Sequence, residues 1–217
     1  VKWGRGVVKF NFDLRGYVFL SGIDVLRQSF ASAREALVRD IHRSRKAIAE
    51  HEEALARGEP WVGERDDEGN IIWDQAQVLD LDVEIAEDAA AALRKAFAIS
   101  LYHHWERSAL IWTGRTNENH DKLCLLVTAQ GIPIDPKLGA VRDLVNLLKH
   151  SNEKWGTALQ SSWSSMFRSS FRLGQVRTDW YDAVQITDQH MMEIFEIITA
   201  SGPTARPNDS SSLAPGT

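Results

Sequence analysis

Cysteine is nearly absent from this chain: Cys124 stands alone among 217 residues. That excludes an intrachain disulfide framework and any multi-cysteine metal centre, and it fits a reducing compartment, so a cytoplasmic location is expected. In the run LCLLV the residue reads as a small buried apolar side chain. No stretch reaches the roughly 18 consecutive apolar residues of a membrane helix, and YVFLSGI near the start lacks the length and flanks of a secretory signal. The phosphate-binding loops GxxxxGK[ST] and GxGxxG and the nucleophile elbow GxSxG are missing. ATP, dinucleotide and serine-hydrolase chemistry therefore have no support. Neither ExxH nor HExxH occurs, and a di-iron bundle needs a Glu-x-x-His pair on each of two helices. No metal and no cofactor is expected.

What the chain does have is a strongly patterned helix in KLGAVRDLVNLLKHSNEKW, residues 137–155. Leu138, Val141, Leu144, Val145 and Leu148 fall in one arc at about 100° per residue, as a core-facing helix requires. Gly139, Asp143, Asn146 and His150 fall opposite in nearly one row, with Arg142 and Lys149 along an edge. Asp135 and Pro136 suit an N-cap and a first turn. Such a row can do chemistry: an imidazole near its free pKa exchanges the proton of a ribose hydroxyl, and arginine donates to phosphoryl oxygens. A histidine in a last helical turn is equally explained by the helix dipole and the terminal carbonyls.

The rest reads as mainly α: a bundle of four or five core helices with minor β-hairpin excursions. Residues 1–22 are expected to form an extended arm or hairpin, because Phe10, Phe12 and Leu14 alternate with polar residues up to Gly16. Residues 23–201 form the bundle. It holds long helices near 24–57 and 82–113, a shorter one at 120–130, and a last one capped by Thr187 or Asp188. Within it, WVGERDDEGNIIW at 61–73 suggests a β-hairpin insertion around Gly69-Asn70. Residues 202–217 lack the apolar residues to pack and read as a disordered tail.

The net charge of −5 conceals an uneven distribution. Residues 52–88 hold thirteen acids and two arginines, while 154–178 hold Lys154, Arg168, Arg172 and Arg177 and no acid. With Trp163, Phe167 and Phe171 interleaved, the second stretch suits phosphate contact plus base stacking. The same spacing also describes an amphipathic helix. His103 and Glu106 share a helix face and read as a polar patch inside the bundle.

The run NLLKH, late in a helix of an all-helical chain, resembles the HEPN superfamily of prokaryotic defence and toxin–antitoxin proteins, whose usual motif is RNxxxH. Asn146 and His150 match its Asn and His; Val145 stands where the arginine belongs, and the nearest arginine is Arg142. The resemblance implies a helical homodimer that binds RNA and cleaves it weakly without metal. Asn146, His150 and Arg142 would be catalytic, Lys149, Lys154, Arg168 and Arg172 would hold RNA, and a cognate antitoxin would be the protein partner. The valine at the arginine position argues for the other class, a non-enzymatic helical module that works through protein contacts.

Overall fold

The computed structural model describes residues 13–169, 171–172 and 179–204. The architecture is mainly α. Two long helices, α1 (Leu14–Ala56) and α2 (Gln75–Thr113), form an antiparallel hairpin. Its register shows in paired side chains: Phe19 meets Trp112 edge-on, Phe30 meets Phe97, and Arg45 pairs with Glu87. Each helix starts on an aspartate that accepts a backbone N–H, Asp13 from Arg15 and Asp74 from Gln77, both at 2.8 Å. Between them lies a two-stranded antiparallel ribbon, β1 (Gly63–Arg65) with β2 (Ile71–Asp74). The Asp66 carboxylate holds its turn by accepting the Glu68 and Asn70 amides. The hairpin expected at 61–73 is therefore present.

Five shorter helices close over one end of this pair: α3 (His120–Thr128), α4 (Leu138–His150), α5 (Glu153–Ser162), α6 (Trp180–Ala183) and α7 (Asp188–Ala200). Asn119, Asn152, Asp179 and Thr187 cap α3, α5, α6 and α7 in turn. At Thr187 the cap is reciprocal, with the His190 ring returning a bond to the Thr187 amide. At the centre, α4 buries Leu138, Val141, Leu144, Val145 and Leu148 against its neighbours, and Ala140 and Leu147 as well. Its buried arc is thus much wider than a one-faced helix needs. The indole of Trp105, fully buried, donates to the Ser201 carbonyl at 2.7 Å and ties α2 to the end of α7. Ser201 Oγ in turn accepts the Asp135 amide and donates to the Ile197 carbonyl. Among the described residues no helix is long and apolar enough to cross a membrane.

Three expectations need correction. The extended arm does not survive where it can be seen: Leu14–Gly22 is the start of α1, and residues 1–12 lie outside the described residues. Gly16, expected to break the run, sits buried inside the helix, and at Gly22 a Cβ would collide with the His104 ring. At Gly22 close helix–helix approach, not chain reversal, accounts for the glycine. The helix beginning at 137 does not run on to Trp155 but stops at His150, where Ser151 takes a left-handed conformation (φ 43°) before α5. Of the segment taken as a tail, Gly202 and Pro203 are buried, with Gly202 against the Phe19 ring, while residues 205–217 lie outside the described residues.

Candidate functional site

The polar residues of α4 do not share one surface. His150 and Lys149 are exposed in the last turn, Asn146 is half-buried, and Asp143 is buried at 6% exposure. Asp143 was expected to face outward. It lies inside, where its carboxylate accepts from Arg142, whose guanidinium also reaches Asp121 on α3. Arg142 donates from Nε to Asp143 at 2.9 Å and from Nη1 to Asp121 at 2.8 Å. Burial works against its charge, but the Asp143 and Asp121 carboxylates outweigh it and raise the Arg142 pKa above its ordinary value. Arg142 is thus a structural counter-ion drawn toward α3. Asn146 and His150 share no hydrogen bond with each other or with Arg142.

The cationic residues lie on several elements. Lys154 opens α5 with its ammonium 4.7 Å from the Trp155 ring centroid. Arg168 and Arg172 are exposed on the segment after the short 3-10 turn Ser164–Met166, and Arg172 donates to the carbonyls of Ser169 and Phe171. Phe171 stacks on Phe167 and tilts against Trp180, whose indole fills the space over Gly156 on α5. Ser151 Oγ accepts the Tyr181 amide at 3.2 Å, so the His150 end of α4 adjoins α6. Arg177 lies outside the described residues.

Tyr181 also borders a cleft of about 1010 Å³ between the α1–α2 pair and residues 181–188. Lys95, only 8% exposed, lines it and donates to the Tyr181 carbonyl at 2.8 Å, with Nζ 3.7 Å from the Tyr181 ring centroid. Burial lowers the Lys95 pKa, against the attraction of Asp182. Arg34 and Arg94 converge on Asp188 at its edge.

Two polar clusters that sequence reasoning missed join side chains far apart in the chain. In the first, Tyr102 Oη lies 2.9 Å from His120 Nδ1, and His120 Nε2 lies 3.5 Å from Cys124 Sγ. Burial, reinforced by the Arg142 charge, pushes the His120 pKa down to about 4. Burial likewise raises Tyr102 and Cys124, so all three are neutral near pH 7. The consistent arrangement has the tyrosine hydroxyl donating to Nδ1 and Nε2–H facing sulfur. A thiol held protonated in this way is not an activated nucleophile. The only sequence signal was the four-residue spacing of His120 and Cys124.

In the second cluster, Ser165 Oγ lies 3.2 Å from His190 Nε2. His190 Nδ1 accepts the Thr187 amide, so the ring proton sits on Nε2 and points at the serine oxygen. A base for serine would need the opposite tautomer, so this pair is structural. His103 Nδ1 and Glu106 meet at 3.2 Å, and among the described residues no group of three or more His, Cys, Asp or Glu is placed to hold a metal ion.

Comparison of the chain with protein-family models, with curated proteins and with solved structures gives no match.

Proposed function

We propose that this is a HEPN-like helical protein of the defence or toxin–antitoxin type that binds RNA along the edge where α4 passes into α5 and α6. One observation carries the reading: α4 ends abruptly at His150, and the left-handed Ser151 leaves Lys149 and His150 exposed beside Lys154 and α6. Cations next to aromatic rings suit a single strand, which offers phosphates to the first and bases to the second. Arg168 and Arg172 extend the charge, and a second copy across a two-fold would bring two His150 side chains to one strand. Cleavage, if His150 supplies the proton transfer, is metal-independent and slow, since Arg142 is committed to Asp143 and Asp121. A cognate antitoxin would compete for the same edge.

The test measures binding of a fluorescent single-stranded RNA as salt is raised. Contacts from Lys149, Lys154, Arg168 and Arg172, at roughly 0.7 counterion per phosphate, predict a log–log slope of about −3. Reversing Arg168 and Arg172 to glutamate should halve that slope. Affinity independent of salt refutes the interface. In EDTA, cleavage that survives His150→Ala removes His150 from the chemistry.

A further inference from the structure

The outer part of the α1–α2 hairpin plays no role in the site above. Among the described residues, every hydrogen bond, ion pair and ring contact recorded for residues 46–86 stays within that arm. Yet its α2 surface is not the polar surface of a helix meant for water. Val78, Leu81 and Ile85 are 42, 53 and 58% exposed. They follow at steps of three and four and lie within an arc of about 60°. The side of α2 turned to α1 is a different one, carrying Leu79, Val83, Ala86 and Ala90. Three large aliphatic side chains in line on the outside are therefore surplus to the hairpin's own packing. Ile71 and Ile72 of β2, in the ribbon at the arm's tip, are exposed as well.

The flanks are all of one sign. Asp82 borders the stripe on one side, and on the other Glu84 and Asp88, which also lines the cleft with Lys95, at about 100° per residue. From Gln75 to Leu93 the helix carries no lysine, arginine or histidine. Glu87 is answered by Arg45, whereas Asp80, Asp82, Glu84 and Asp88 enter no ion pair or side-chain hydrogen bond among the described residues. A second copy does not fit. Laying stripe on stripe about a two-fold would set these acids against their own equivalents, and like charges in contact are unfavourable. The complementary occupant has aliphatic side chains on one face and cations along both borders of that face.

We infer that the outer stripe of α2 is a docking surface for a basic amphipathic helix of a partner protein. The partner lies along α2 over two to three turns, its aliphatic residues against Val78, Leu81 and Ile85 and its lysines or arginines against Asp82, Glu84 and Asp88. Recognition of this kind reads anchors at helical spacing, and the charges set partner choice and orientation. The inference is independent of the RNA reading, which concerns the other end of the molecule.

The probe is a synthetic helical peptide of about five turns with leucines in a heptad seam and lysines beside it. Its twin carries glutamates in the lysine positions. Fluorescence anisotropy with the full chain should show the lysine peptide binding at least ~tenfold more tightly than the glutamate peptide. Leu81→Ser with Ile85→Ser should weaken the lysine peptide by a further ~tenfold or more, and Asp82→Lys with Asp88→Lys should reverse the preference. These positions are exposed, so circular dichroism should stay unchanged. Ile111→Ser, an exposed site on the far part of α2, should leave binding as it was. Equal affinity for the two peptides, no binding of either, or indifference to the Leu81 and Ile85 changes would overturn the proposal. So would dimerisation that Leu81→Ser abolishes, which would give the stripe to a second copy.

Discussion

His120 should make the fold sensitive to mild acid. Its ring is held neutral between Tyr102 and Cys124, with a pKa lowered from 6.5 to about 4. Protonation would cost Tyr102 its acceptor and place a cation beside Arg142. The unfolded chain takes up this proton near pH 6.5 and the folded chain only near pH 4, so stability is complete above the first value and falls as pH drops toward the second. At about 1.4 kcal/mol per pH unit the ceiling is roughly 3 kcal/mol, and water around a partly exposed ring screens this to about 2 kcal/mol. Carboxylates act in another window. Burial opposes the charge of Asp188, but Arg34 and Arg94 hold its pKa below the usual 3.8, so its contribution is lost only under more acidic conditions. The assay is urea denaturation at intervals from pH 7.5 to 4.0 for the wild type and for His120→Gln, whose amide can still accept from Tyr102. The wild type should lose about 2 kcal/mol more than the variant between pH 6.5 and 4. Parallel curves would refute the assignment.

Other variants probe the packing. Arg142→Ala strands the buried Asp143 carboxylate and should cost about 3 kcal/mol in urea denaturation, whereas Arg142→Met with Asp143→Leu should fold almost as stably as the wild type. It follows that loss of RNA cleavage in Arg142→Ala alone would report unfolding as readily as chemistry, and the double variant is the proper control. Gly156→Ala drives a methyl into the Trp180 ring and should lower Tm by several degrees, an overpacking cost of about 1–3 kcal/mol.

The core-facing arc of α4 was legible because five aliphatic residues at helical spacing leave few other folds for that stretch. The caps at Thr187 and the ribbon at 61–73 were legible for the same reason, since a local pattern fixes them. Leu14–Gly22 misled because Phe10, Phe12 and Leu14 alternate like a strand and Gly16 punctuates like a turn. Only the packing of Gly22 against the His104 ring of α2 reveals a point of close approach instead. Asp13, a capping residue two before Arg15, was the available sign of a helix start. The position of Asp143 could not be read from α4 alone: its face looks polar, and the Asp121 that shares its Arg142 comes from another helix. The Tyr102–His120–Cys124 cluster is likewise created by the turn between α2 and α3.

The closure of Gly202 over Phe19, and of Ser201 over Trp105, sets a schedule. A ribosome adds about 5–20 residues each second. The Gly202 that covers Phe19 is thus made about 9 seconds after it at the faster of those rates and about 37 at the slower. Through that interval Trp105 has no acceptor at Ser201 and Phe19 lacks part of its cover, although the α1–α2 hairpin can already form from local contacts. The nascent chain is therefore an open clasp whose apolar inner surface waits for its catch, and α7 is the piece that shuts it.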